Sequence, residues 1–208
     1  MTLFSNYNLN EVLNKSLKNI NFTNPTPIQE KSIPLILQGK DILGSAQTGT
    51  GKTAAFCIPI LELLMKSPRG SLLIMIPTRE LAKQVLDVIN SLLGFKSSIN
   101  TATLIGGESM SKQLSQLKKR PRIYVGTPGR INDHLQRGSL NLHDAKYLVL
   151  DETDRMLDMG FEVQINKIIK YLPVSKQVLM FSATIPNNIL KLSSKYLNDP
   201  VRISVGES

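Results

Sequence analysis

Short uninterrupted apolar runs alternate along this chain with longer stretches whose apolar residues recur every three or four positions. Residues 42–43, 72–76, 101–105, 123–125, 147–150, 178–181 and 202–205 have the length and composition of strands. Residues 53–64, 80–93, 110–117, 129–136, 161–171 and 187–197 have the periodicity of helices. Strands apolar at every position are covered on both faces, and helices between them supply the cover. The pattern predicts an α/β fold: a doubly wound, mostly parallel sheet with helices on both faces. Ligands of such folds gather at the carboxyl ends of the strands. Residues 1–39 differ, with short helices at 10–18 and 28–38 flanking the turn Pro25-Thr26-Pro27. They read as a cap packed on a core domain of residues 40–208. A length of 208 residues suits one such core.

Charge adds a partner class. Lys and Arg number 25 against 16 acids, a formal net charge of +9. Such an excess points either to a polyanion, nucleic acid above all, or to solubility charge on a lysine-rich surface. No apolar run reaches the length of a membrane span, and the first residues lack a signal peptide's pattern. Cys57 is the only cysteine, which rules out an internal disulfide, and its apolar neighbours predict a buried thiol. A cytoplasmic address follows, with the nucleus as a second intracellular possibility, and a monomer is expected.

The chemistry concentrates at strand ends. Ala46-Gln47-Thr48-Gly49-Thr50-Gly51-Lys52-Thr53 follows the first strand and opens a helix, with Ser45 just before it. It fits the phosphate-loop pattern G-x-x-x-x-G-K-[ST], with alanine in the first place. Gly49 and Gly51 let backbone N–H groups converge on phosphate oxygens, and the helix start adds its positive dipole end. Lys52 would supply a point charge to the outer phosphates of a nucleotide, and Thr53 a hydroxyl ligand to Mg²⁺. Asp151-Glu152-Thr153-Asp154 follows the strand ending at Leu150. Alone this is either a helix N-cap or a metal and proton-transfer site. Beside a phosphate loop, Asp151 suits the Mg²⁺ hydration shell, and Glu152 suits the base that deprotonates an attacking water.

Ser182-Ala183-Thr184 also ends a strand, and its hydroxyls either cap a helix or hydrogen-bond the acidic cluster. Three further loops, Pro77-Thr78-Arg79, Gly106-Gly107 and Thr127-Pro128-Gly129-Arg130, put small residues, hydroxyls or an arginine where phosphates are gripped. Each taken singly is equally a turn and a cap. His134 and His143 have no metal-ligand spacing and read as solvated surface, and the run Lys118-Lys119-Arg120-Pro121-Arg122 reads as a solvated helix end or else an RNA contact. Asn21-Phe22-Thr23 fits the glycosylation pattern without a secretion signal to support it.

Together these elements resemble, in order and through most of the chain, the first core domain of the DEAD-box ATP-dependent RNA helicases. The resemblance implies a RecA-like phosphate-loop NTPase fold that uses ATP and Mg²⁺. Phe22-Thr23-Asn24-Pro25-Thr26-Pro27-Ile28-Gln29 looks like that family's adenine-recognition motif, with Phe4 in the place of its upstream aromatic. By resemblance Phe22 stacks on adenine, Thr26 belongs to the same site, and Gln29 reads the base edge. Residues 46–53 become the ATP phosphate motif, with Lys52, Asp151 and Glu152 catalytic and Thr53 and Asp151 on the metal, the latter through water. Asp154, Ser182 and Thr184 become the coupling contacts between hydrolysis and RNA. Pro77, Thr78, Arg79, Gly106, Gly107, Thr127, Pro128, Gly129 and Arg130 become contacts to RNA backbone without sequence specificity.

Thr153 stands where the family has alanine, and a weak disturbance of Asp154 against Ser182 and Thr184 is expected. Asn21 stands where glycine is usual, which asparagine's tolerance of unusual φ accommodates. The family's second domain, with its arginine fingers, has no counterpart in this sequence. The expectation is therefore an N-terminal piece of a longer helicase, nearly inactive by itself. The alternatives are a non-catalytic ATP-dependent RNA clamp and another phosphate-loop enzyme, such as a DNA helicase.

Overall fold

The computed structural model describes residues 1–206. Seven strands form one sheet: β1 (Ile42–Ser45), β2 (Leu72–Met75), β3 (Thr101–Leu104), β4 (Ile123–Gly126), β5 (Tyr147–Leu150), β6 (Gln177–Ser182) and β7 (Val201–Ser204). Their order is β3-β4-β2-β5-β6-β1-β7, and every pairing is parallel. Among the described residues nine α-helices accompany them: α1 (Glu11–Asn19), α2 (Pro27–Leu37), α3 (Lys52–Lys66), α4 (Arg79–Leu93), α5 (Met110–Lys118), α6 (Pro128–Arg137), α7 (Thr153–Asp158), α8 (Glu162–Ile169) and α9 (Asn187–Tyr196).

The period of two along each strand divides the core into two layers. Ile42, Leu72, Ile74, Val125, Val149, Leu179 and Phe181 face one way, into a cluster completed by side chains of α1 to α4. Leu43, Leu73, Met75, Tyr124, Leu148, Leu150 and Met180 face the other way, where α6, α8 and α9 supply Ile131, Ile165, Ile168 and Ile189. Both faces are dry, which is why these strands read as continuous apolar runs rather than alternating ones. Cys57, on α3, is fully buried, and that burial raises its thiol pKa.

The N-terminal segment packs onto the first layer. Leu13, Leu17, Ile28, Ile33 and Ile36 share its cluster, and Glu62 of α3 accepts the Asn10 backbone N–H at 2.9 Å. A 3₁₀ turn at Phe4–Tyr7 precedes α1. The observed strands depart little from the expected ones. β1, β4 and β6 run longer, β2 and β3 stop one residue short, and β7 is shifted one residue earlier, because ladder pairing with neighbours rather than apolarity sets their ends. The short α7 was not among the expected elements, its six residues being too few to show a period.

Two expectations are corrected. His134 is not at the surface: it has no exposed area and lies on the inner stripe of α6 with Ile131 and Leu135. Arg122 is not part of a solvated helix end. Its guanidinium donates to the carbonyls of Leu64, Ser67, Arg69 and Gly70 at 2.9–3.1 Å, satisfying the backbone where α3 turns into β2. Lys118, Lys119 and Arg120 are exposed as expected, as is His143.

Arg122→Ala should lower the unfolding free energy by about 1.5–3 kcal/mol, the range for hydrogen bonds to a charged group. Arg122→Lys should recover little, because an ammonium lacks the planar fork that reaches all four carbonyls. Urea denaturation of the three proteins checks both statements.

Candidate nucleotide site and strand-end loops

Strand order decides which loops meet. β1, β6 and β5 are consecutive neighbours, so the turns after them, carrying 46–53, 182–184 and 151–154, lie side by side at the carboxyl edge. Ser45 is in register with Ser182, and the Ala46 N–H donates to the Ser182 carbonyl at 3.2 Å. β3, β4 and β2 form the other half of the same edge, which sets Gly106-Gly107, Thr127–Arg130 and Pro77–Arg79 beside one another.

Lys52 Nζ lies 2.8 Å from Asp151 Oδ1, with the two side chains only 7% and 3% exposed. The phosphate-loop pattern and the acidic box therefore meet as an ion pair. Burial raises the Asp151 pKa, and the Lys52 ammonium and the Glu152 backbone N–H, 2.9 Å from Oδ1, act against that rise. Glu152 adopts a left-handed backbone at φ 49°, half-buried beside the pair. Its pKa is raised, by burial first and with Asp151 adding to it, while Lys52 opposes.

Gly51, at φ +84°, closes the loop against α2. A Cβ there would stand 2.6 Å from Gln29 Nε2 and 2.8 Å from Thr26 Oγ1. Gln29, almost wholly buried, donates through Nε2 to the Gly51 carbonyl at 3.0 Å and accepts the Thr26 N–H on Oε1 at 3.0 Å. One N–H and one lone pair of its amide remain uncommitted to protein. Phe22 stacks on the buried Phe4, with centroids 5.8 Å apart and planes at 23°, and is itself partly exposed. Asn21 sits at φ 59°, the conformation expected of it. A cleft of about 490 Å³ runs from Phe22 and Gln29 past Gly51, Lys52 and Thr53 to Asp151 and Glu152. Its apolar wall, Leu81, Val85 and Val88 of α4, was not anticipated: these residues read only as that helix's core stripe.

Asp154, Ser182 and Thr184 are in contact. The Asp154 N–H donates to Ser182 Oγ at 3.2 Å, and the Thr184 N–H and hydroxyl donate to Asp154 Oδ2 at 3.2 and 3.0 Å. All of these contacts form with Thr153 in place. It is fully buried, and its Oγ1 lies 3.2 Å from the Leu150 carbonyl and 3.0 Å from that of Phe181, bridging the ends of β5 and β6.

On the other half of the edge, Thr78 caps α4 by accepting the Leu81 N–H, and Arg79 Nη1 points to the Gly106 carbonyl at 3.4 Å. The Arg79 guanidinium lies so close over Gly107, at φ +75°, that a Cβ there would fall 1.9 Å from Nη1. Arg130 turns inward, donating to the Glu108 carbonyl and to Gln113 Oε1, each at 3.2 Å.

A nucleotide with Mg²⁺ fits this donor set. The glycine cradle leaves no Cβ in the way, and a hydroxyl and a carboxylate stand beside the lysine. No cluster of three or more His, Cys, Asp or Glu forms a metal cage among the described residues. Magnesium commonly takes one or two carboxylates plus substrate phosphates, so the donors fit that usage. No helix among the described residues is long and apolar enough to cross a membrane.

The family model described as DEAD/DEAH box helicase matches residues 26–192. The DEAD-box ATP-dependent RNA helicase RhpA of Helicobacter pylori is 45% identical over 205 residues, 99% of this chain and 42% of that protein. The ATP-dependent RNA helicase CshA of Listeria monocytogenes is 46% identical over 206 residues, 99% of this chain and 39% of that protein. A crystal structure of a DEAD box protein from the hyperthermophile Methanococcus jannaschii superposes with a TM-score of 0.93 at 43% identity, covering 99% of this chain and 56% of that one. The chain thus spans about two fifths of the length of these curated relatives.

Lys52→Met would leave Asp151 buried without its partner, and breaking a buried pair costs about 3–5 kcal/mol. A carboxyl whose folded pKa is raised above its unfolded value binds protons more tightly in the folded state. The stability it brings is present at low pH and lost as pH rises through the raised value. The variant's deficit should therefore be larger at pH 8 than at pH 5, as measured by denaturant titration at both.

Proposed function

The chain belongs to the DEAD/DEAH box helicase family, and from that premise we propose that it is the ATP-binding domain of an ATP-dependent RNA helicase. The observation that carries this reading is the buried contact of Lys52 with Asp151 at 2.8 Å, which joins a phosphate loop to a carboxylate and its neighbouring base. Adenine stacks on the open face of Phe22, backed by Phe4, and the free amide N–H and lone pair of Gln29 read its edge. Thr26 and the N–H groups of 47–53 line the path of the phosphates, with Ser45 and Ala46 leading into the loop and the start of α3 aimed at them.

Thr53 and Asp151 would hold Mg²⁺, the latter through water, and the bound ion would neutralise charge on the phosphate oxygens. Lys52 exchanges part of its contact with Asp151 for the outer phosphates. Glu152 takes a proton from the water that attacks the terminal phosphorus as the bond to the bridging oxygen breaks. Its raised pKa makes it a stronger base than an exposed glutamate.

RNA lies along the other half of the strand edge. Arg79, the backbone N–H groups of Gly106, Gly107 and Gly129 and the uncommitted Thr127 hydroxyl meet sugar and phosphate, with no base-edge reader among them. Asp154, shared between Ser182 and Thr184, links the two halves. Hydrolysis and local duplex opening require a second domain of the full-length protein, since an arginine finger is worth roughly 10³–10⁵ in rate. The domain by itself is a cytoplasmic monomer with weak ATP and RNA affinity and little turnover.

Titration of a fluorescent ATP analogue onto the chain tests the site. Lys52→Ala should abolish binding, and Gln29→Ala should erase preference for ATP over GTP. Unchanged affinity in the lysine variant would refute the assignment, while unchanged selectivity in the glutamine variant would favour another phosphate-loop enzyme. In the full-length protein Glu152→Gln should keep binding and slow phosphate release by at least about 10²-fold. With Glu152 in place, the acid limb of turnover should lie above the ordinary glutamate range, because the carboxylate must be ionised and burial holds its proton on.

A further inference from the structure

Beneath the loops assigned to RNA lies a buried polar assembly that the nucleotide chemistry does not use. Gln113 of α5 has no exposed area, and its Nε2 donates to the Ile105 carbonyl at 2.7 Å, one residue before Gly106-Gly107. With the amide nitrogen committed there, Oε1 is the acceptor for two partners. One is Nε2–H of His134 at 2.7 Å, and the other is Nη1–H of Arg130 at 3.2 Å. Arg130 Nη1 also reaches the Glu108 carbonyl at 3.2 Å. The far ring nitrogen of His134, Nδ1, lies 2.8 Å from Ser139 Oγ. Burial, with Arg130 and Arg137 near, lowers the His134 pKa, so the ring is neutral with its proton on Nε2.

Three polar side chains in an otherwise apolar layer are costly unless fully satisfied, and an aliphatic residue on α6 would bury more simply. What the assembly supplies is geometry. Hydrogen bonds have a definite length and direction, so Gln113 fixes the loop after β3 against the first turn of α6. The first segment carries the N–H groups of Gly106 and Gly107, and the second carries that of Gly129 beside the Thr127 hydroxyl.

We propose that Gln113 and His134 are positioning residues for RNA: they set the separation of Gly106-Gly107 from Thr127–Gly129, so that both loops meet one stretch of sugar-phosphate backbone. Arg130 then serves as a strut of this brace rather than as a free phosphate ligand, its Nη1 being already shared by two protein oxygens. This inference rests on the RNA reading of those loops.

The test uses the chain with a fluorescein-labelled oligouridylate at low salt, read by anisotropy, alongside ATP-analogue affinity and melting temperature. His134→Gln keeps an N–H donor near the position of Nε2, whereas His134→Asn loses it, and both lose the ring. His134→Asn should weaken RNA binding roughly five- to tenfold, the worth of one buried neutral hydrogen bond. His134→Gln should stay within about twofold by the same reckoning, with ATP-analogue affinity unchanged in both. Hydrogen exchange at the Gly106 and Gly107 amides should quicken in the asparagine variant alone. Equal RNA affinity in the two variants, or a parallel loss of nucleotide affinity, would overturn the proposal.

If both histidine variants unfold, Gln113→Glu decides. It keeps the acceptor for His134 and Arg130 but loses the donor to Ile105, so wild-type RNA affinity in it would also overturn the brace. Arg79→Ala separates the two levels. If that variant binds RNA as tightly as wild type, the RNA assignment itself fails; if it binds more weakly while the brace variants do not, only the brace fails.

Discussion

A carboxylate at the end of a buried strand has to be neutralised, and in this molecule the neutralising group is Lys52. Asp151 closes β5 almost without exposure, and the ammonium 2.8 Å away comes from the first turn of α3. That one requirement links distant parts of the chain. The strand must deliver its acid level with the phosphate loop, and β6 must lie between β1 and β5 at the right register. Gly51 must then turn through a positive φ so that the lysine enters the cleft. The pair is also a poised one. A lysine held by a single buried carboxylate is a charge that an incoming polyphosphate can share.

Because β6 lies between the two partners, its end is the natural reporter of what happens there. The contacts of Asp154 with Ser182 and Thr184 span the step from β5 to β6, and Thr153 bridges the same strands through two carbonyls. A displacement of the acidic box is therefore felt at residues 182–184 through hydrogen bonds rather than through loose packing. Gln29 performs a similar office on the other flank, its amide reaching the loop carbonyl at Gly51 while still having capacity for a base.

The second half of the strand edge is organised differently. No ion pair dominates it; Arg79 lies flat over a glycine, and Arg130 is drawn inward by Gln113 and a main-chain carbonyl. The N–H groups of Gly106, Gly107 and Gly129 are without a protein acceptor, which is the feature on which the proposed contact to a sugar-phosphate backbone rests.

Much of this was written in the order of residues. Hydrophobic runs of 72–76 and 147–150 and helical periods such as 80–93 fix a parallel sheet, because burial on both faces leaves a local signature. The phosphate loop and the acidic box are likewise contiguous stretches, each legible alone. Their meeting was legible from both stretches ending strands of one parallel sheet, and from the resemblance to a known family. His134, Arg122, Gln113 and Thr153 are another matter. Each is polar, and its pattern neighbours suggested solvent or nothing at all. For His134 the spacing with Ile131 and Leu135 was the available sign. What settled their roles was a partner far along the chain: a carbonyl at Leu64 for Arg122, the carbonyl of Phe181 for Thr153, the ring of His134 for Gln113. Periodicity records which face of an element is dry, a property of neighbouring residues. A hydrogen bond across the fold depends on strand order and register, and those exist only once the chain has closed on itself.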